Sequence, residues 1–313
     1  MSVVKSNAHQ VGQSVTATNN MTWYQPASPD GTVRLGVGNA GATTADVITA
    51  SSTGITVPSM SSANTFGFKN RLIDAGFIIN QRGYTSGTAL SSGSYAHDRW
   101  KAGSSGCTYT FTQGSNGVPI TITITAGALQ QVIEGCNVAE GGTYTLSWQG
   151  TAQASINGGA ASASPLTVTG VTAGANMTIQ FNTGTVYEPQ LEVGSATTSF
   201  DFRAYGTELA LCQRYFEILG STTVLQTIFV DSYGATGGTN ITVPYSFKNT
   251  KRASSTMTVV GNSWTSTNTT SSGAPSNFNV GVDTVTFYFV SVATGRFYSY
   301  NNAGTYITAS AEL

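Results

Sequence analysis

Apolar and polar positions alternate along much of this chain, and the period is two. Cys107, Tyr109 and Phe111 share one parity, as do Ile120, Ile122 and Ile124, then Tyr144, Leu146 and Trp148, then Met177, Ile179 and Phe181. Thr, Ser or Gln occupy many of the intervening positions, the pattern of strands with one buried face. Turn-forming stretches separate them: GSNGVP (114–119), EGGT (140–143) and NGGAASASP (157–165). Number and spacing predict a two-sheet antiparallel jelly-roll β-sandwich over residues 66–202. One segment changes period. TELALCQRYFEI (207–218) places Leu209, Cys212, Tyr215 and Phe216 at helical spacing, with Thr207 as N-cap and Glu208 in the first turn. A connecting helix is therefore expected over 203–218. Strands return beyond it, and 219–313 reads as a smaller C-terminal β-sandwich. Within it VTFYFVSV (285–292) is apolar on both parities, which predicts a strand covered on two sides, by its own core and by a symmetry mate.

Residues 1–65 have a thinner pattern. Short apolar pairs, Val33/Leu35, Val47/Ile48 and Ile55/Val57, lie among Gly and Asn turns. Such strands cannot bury a core alone, so identical chains are expected to intertwine here, most simply as a homotrimer. This first segment is expected to trimerise and anchor the chain.

Composition narrows the function. Charged residues make up 9% of the 313, against about 25% in an ordinary soluble domain. The 48 Thr, 35 Ser and 36 Gly, beside 14 Tyr, 14 Phe and 4 Trp, describe an all-β chain that folds rather than a disordered one. A net charge of −1, with no Lys or Arg between Lys101 and Arg203, argues against nucleic acid as a partner. No apolar run approaches the roughly 20 residues needed to cross a bilayer, and MSVVKSNAHQ has no signal-peptide core, so neither membrane insertion nor classical secretion is expected. Cys107, Cys136 and Cys212 are too few and scattered for a disulfide framework; they read as small buried residues.

Three stretches resemble known proteins. DGTVRLGVGNAGATTADVIT (30–49) resembles shaft or linker segments of bacteriophage tail fibres. NRLIDAGFIINQRG (70–83), followed by YAHDRWKAG (95–103), is similar to the opening of a jelly-roll module common in phage virion proteins and similar to carbohydrate-binding modules. YEPQLEVGSATTSFDFRAYGTELALCQRYFEIL (187–219) is similar to the signature that closes that module and leads into a small C-terminal β-domain. The resemblance implies a virion fibre protein, assembled in the host cytoplasm and carried on the phage particle. Its implied partners are two further copies of itself, other virion proteins through the N-terminal segment, and a bacterial surface glycan. The competing expectation is a capsid-attached head fibre or decoration protein with a structural role.

The candidate chemistry is that of binding. The 14 carboxylates show no pair that stands out as a glycosidase's acid and base, no nucleophile elbow is present, and no cofactor motif is visible, so neither catalysis nor a cofactor is expected. A calcium ion stays open, with Asp74 and Glu192 as its nearest ligands. Sugar sites combine an aromatic platform with a few polar groups. Tyr95, His97, Asp98, Arg99 and Trp100 concentrate both, either as a glycan loop or as core with an Asp98–Arg99 ion pair. Tyr144 and Trp148 are either core or the floor of a concave sheet. Arg296, Tyr298 and Tyr300 share one parity opposite Phe297, and Trp264 lies in the polar loop GNSWTSTNTTSSG (261–273). Aromatics among Ser, Asn and Gly suit a recognition surface or a trimer interface. Lys248, Lys251 and Arg252 read as a solvated turn, with attraction to an anionic surface glycan as the other reading.

Overall fold

The computed structural model describes residues 8–28, 30–39, 42–52, 54–56, 68–114, 117–220, 223, 226–269 and 273–313. The expected boundary at residue 65 and the first seven residues lie outside them. Two compact units are present: Met1–Phe66 with Gly194–Phe200, and Gly67–Val193 with Asp201–Leu313.

The first unit is an antiparallel meander of β1 (Ala8–Val11), β2 (Met21–Tyr24), β3 (Val33–Asn39), β4 (Ala42–Ser51) and β5 (Gly54–Thr56), paired in chain order. Among those of its residues whose side chains are described, no apolar one is buried; Asn20, Thr22, Gly36 and Gly38 are the ones hidden from solvent. Polar bonds hold the sheet. The Asn20 side chain accepts from the Ser14 amide at 2.9 Å and donates to Asn39 at 2.6 Å, and Asp46 accepts from the Tyr24 hydroxyl at 2.5 Å and from Arg34 at 3.0 Å. A sheet ordinarily has to bury one face against another layer, and no described apolar side chain of this one is covered in that way.

The second unit opens with β6 (Lys101–Phe111), β7 (Ile122–Ile133), β8 (Gly142–Gln149), β9 (Ala154–Ile156), β10 (Leu166–Val171), β11 (Met177–Phe181) and β12 (Gly184–Val193). Their order is β10-β8-β12-β7-β11-β9, with β6 also on β7. The period-two residues do what the pattern requires: Ile122, Tyr144, Leu146, Met177, Ile179 and Phe181 are fully buried. Strand β12 turns a corner. Its first residues pair with β7 and its last with β8, and the register breaks between Tyr187 and Gln190, where Glu188 adopts a φ of 50°. A bulge of this kind bends a strand from one neighbour to the next. Gly127 serves the β6–β7 crossing, because a Cβ there would stand 2.1 Å from the Gly106 carbonyl oxygen.

The only α-helix among the described residues, α1, spans Tyr205–Gln213. It starts before Thr207 and stops well short of residue 218. Ala204 holds the N-cap position with no side-chain cap bond, and Phe216–Leu219 form strand β13. The aromatic and β-branched run YFEIL suits a strand as well as a helix. Pairing of Phe216–Leu219 with the last strand decides the outcome.

The remaining strands are β14 (Phe229–Ala235), β15 (Asn240–Ser246), β16 (Thr256–Val260), β17 (Trp264–Thr267), β18 (Asn277–Val280), β19 (Thr284–Val290), β20 (Gly295–Asn301) and β21 (Tyr306–Ser310). They make three antiparallel sheets, β13-β21-β16, β14-β20-β17 and β15-β19-β18. All three enclose one core that includes Leu219, Val230, Phe287, Phe289, Phe297 and Ile307. Within the single chain, Val285, Phe287 and Phe289 of the doubly apolar strand point into this core, whereas Thr286, Tyr288 and Val290 on its other side are half-buried.

The residues after β21 return to the segment that leads into β6. Glu312 pairs with Arg99, and with Arg82 at 2.9 Å, while Tyr95 and Lys101 donate to the Leu313 carbonyl oxygen. The expected Asp98–Arg99 pair is thus replaced by two others, since Asp98 faces Arg82 at 3.6 Å. Of the cations expected in a solvated turn, Lys248 is exposed but the other two are not free in solvent. Lys251 is fully buried, 2.6 Å from Glu217, and Arg252 donates to the Ala311 and Glu312 carbonyls. Cys107 and Cys212 are buried as expected, but Cys136 is exposed.

Candidate functional site

Strand β20 alternates strictly. Phe297, Ser299 and Asn301 are buried: Phe297 meets Phe289 edge-on at 6.3 Å, Ser299 donates to the Gly273 carbonyl, and Asn301 accepts from the Ile228 amide at 2.8 Å. With that parity fixed inward, Arg296, Tyr298 and Tyr300 must face outward. Strand β14 matches it. Val230 is buried, so Phe229, Asp231 and Tyr233 lie on the outer face, with Phe229 opposite Tyr300 and Asp231 opposite Tyr298. On the other side of β20, β17 contributes Thr265 opposite Tyr300 and Thr267 opposite Tyr298.

The result is an outward aromatic face. Tyr298 and Tyr300 stack with centroids 6.3 Å apart and planes 16° from parallel, and Phe229 continues from Tyr300 at 6.5 Å. Arg296 lies between Tyr233 and Tyr298, its guanidinium carbon 5.1 Å from each ring centroid. Both attractions are cation–π contacts. Asp231 accepts from Arg296 Nε at 3.2 Å and Nη2 at 2.8 Å, and this bond holds its carboxyl below the usual carboxylate range. The carboxylate is therefore ionised at neutral pH, and the two charges of the face cancel. Phe229 is 50% exposed and Tyr233 76% exposed, so large rings stay in water although an inward side was available.

The other sequence candidates do not join this face. Trp264 has the inward parity of β17; it is half-buried, edge-on to Phe289 at 6.4 Å, and belongs with the core. His97 and Trp100 have no exposed surface, which excludes them from stacking on a sugar. Trp100 packs on Phe77 at 4.8 Å and donates from Nε1 to the Asp74 carbonyl at 2.9 Å. His97 Nδ1 lies 2.7 Å from the Tyr109 hydroxyl, and burial pushes its pKa down to about 4. The tight turn made by Trp100 N donating to His97 O, with Arg99 at a φ of 70°, brings this stretch inward. Tyr95 is half-buried beneath Arg82. Trp148 and Tyr144 are core, Trp148 donating to the Ala152 carbonyl at 3.0 Å.

Phe229, Asp231 and Tyr233 were not singled out from the sequence. The signal was present: in TIFVDSYG (227–234) these three share one parity, opposite Ile228 and Val230. Two features elsewhere compete as sites and are weaker. A cleft of about 190 Å³ is lined by Arg71 and Arg203 beside Phe68 and Asn70, but each guanidinium is already paired, Arg71 with Glu140 and Arg203 with Glu208. For a metal, no cluster of three His, Cys, Asp or Glu assembles among the described residues. Asp74 Oδ1 is occupied by the Ile78 and Ile79 amides, at 2.8 and 3.0 Å, and burial first, then the Asp98 charge, raises this carboxyl well above the usual range. No helix of the described residues is long and apolar enough to cross a membrane.

No family model matches this chain, and neither a curated protein nor a solved structure matches it.

Proposed function

We propose that this chain is a non-enzymatic structural protein of a bacteriophage virion, a fibre that adheres to a bacterial surface glycan. The observation that carries the reading is the outer face of β14-β20-β17, where Phe229, Tyr233, Tyr298 and Tyr300 stay at the surface around a fixed arginine. Aromatic rings bind the apolar faces of pyranoses, and neighbouring polar groups fix the hydroxyls. The antiparallel sheet around β7, with its bulged corner strand, suits a jelly-roll module that supports this surface.

Adhesion through such a face is weak per contact and gains strength from copy number. The sheet β1–β5, none of whose described apolar side chains is buried, supports assembly into a homotrimer, because apposed copies would cover such side chains. Three linked sites raise apparent affinity by roughly 10² to 10⁴ through effective concentration. Labelled protein should coat susceptible bacteria and be displaced by their purified surface polysaccharide. Coating that resists an excess of every surface polysaccharide of that host, and is unchanged in Tyr298→Ala and Tyr300→Ala proteins of normal melting temperature, would reject this reading.

A further inference from the structure

We infer that the outer face of β14-β20-β17 selects an uncharged polysaccharide and holds it as an extended chain spanning more than one sugar ring; the inference rests on the adhesion reading above. Charge is the first observation. The face carries one cation, Arg296, and one anion, Asp231, joined by two hydrogen bonds, so no net field attracts a polyanion. An acidic sugar brought to Arg296 would also meet the Asp231 carboxylate, a repulsive element that works against anionic ligands.

The same pair suits hydroxyls. Arg296 Nη1 makes no hydrogen bond among the described residues, whereas Nε and Nη2 are taken by Asp231. A fixed donor thus lies beside a fixed acceptor, and a vicinal diol needs both, since each hydroxyl donates and accepts. The guanidinium is already ordered between Tyr233 and Tyr298, so binding costs little further side-chain entropy. Platform length is the second observation. Phe229, Tyr300 and Tyr298 follow one another at 6.5 and 6.3 Å, a longer run of rings than a single pyranose covers. Flat pyranose units with equatorial hydroxyls present the apolar faces that such a run stacks against.

Affinity electrophoresis of the full chain in native gels tests this, with mixed-linkage β-glucan and galactomannan as neutral probes and polygalacturonate as the acidic one, at physiological salt. The expected result is retardation by a neutral polymer and none by polygalacturonate, weakened about tenfold in Tyr298→Ala. Asp231→Asn leaves Arg296 unbalanced and should transfer retardation to polygalacturonate, whereas Arg296→Gln should not; melting curves identify any variant that fails to fold. Preference of the unaltered protein for polygalacturonate overturns the inference while leaving glycan adhesion standing. Absence of retardation by all three polymers overturns the inference too, and adhesion itself falls only if the protein also fails to coat bacteria.

Discussion

Asp98 is a carboxyl group with no exposed surface, and burial pushes its pKa up to about 6 although Arg82 and the Gln81 amide favour the charged form. The native state therefore binds a proton more tightly than the unfolded chain, where an Asp titrates near 4. Stability contributed by this group is fully present below about pH 4 and is lost as pH rises through 6. Asp98→Asn removes the titration. Thermal melts of both proteins from pH 4 to pH 7 should show the variant gaining on the parent as pH rises; a variant that loses ground over that range would contradict the assignment. The partners of Asp98 and Arg99 were not legible locally. Consecutive side chains leave a tight turn in different directions, and the Glu312 that holds Arg99 lies 213 positions away, beyond any local pattern. The outward parity of Arg296, Tyr298 and Tyr300 was legible, because one inward aromatic, Phe297, fixes the alternation of its strand. Trp264 shows the limit of the same reasoning: a polar loop composition suggested exposure, and the inward parity of a short strand overrode it.

Elements were legible where the period was unambiguous. Strands β6, β7, β8 and β11 each follow from apolar residues two apart, since a one-residue slip would turn the whole set to solvent. The end of α1 was not, because its apolar residues satisfy both periods until β21 pairs with residues 216–219. The turn after β15 was misread for a related reason: a run of cations looks solvated unless the buried carboxylate it meets is known. Lys251 Nζ donates to Glu217 at 2.6 Å and to the Gln213 carbonyl at 2.5 Å, so it ties that turn to α1 and β13. Removing one member of a buried pair leaves the other uncompensated, at a cost of roughly 3–5 kcal/mol. Lys251→Met should lower the denaturation midpoint accordingly, and Lys251→Met combined with Glu217→Leu should recover much of the loss. Equal stability of the single variant and the parent would show that the pair contributes little.

For the whole molecule, the contrast between the two units matters most. One sheet, β1–β5, buries no described apolar side chain, while the unit of Gly67–Val193 with Asp201–Leu313 is rich in buried aromatics. The thin apolar pairs of residues 1–65 announced this difference, but nothing in them specifies which surfaces meet. Light scattering of the full chain should give three times 32.4 kDa, and a stable monomer at micromolar concentration would contradict self-assembly. Adhesion through Tyr298 is the central claim, and it has one direct test: calorimetric titration of host surface polysaccharide into the parent and into Tyr298→Ala, each with its melting temperature recorded. Losing a contact aromatic costs about 1–2 kcal/mol, so the account predicts a dissociation constant weakened roughly 5- to 30-fold with melting unchanged. Unchanged affinity, or a large fall in melting temperature, would place Tyr298 in the scaffold and contradict the account.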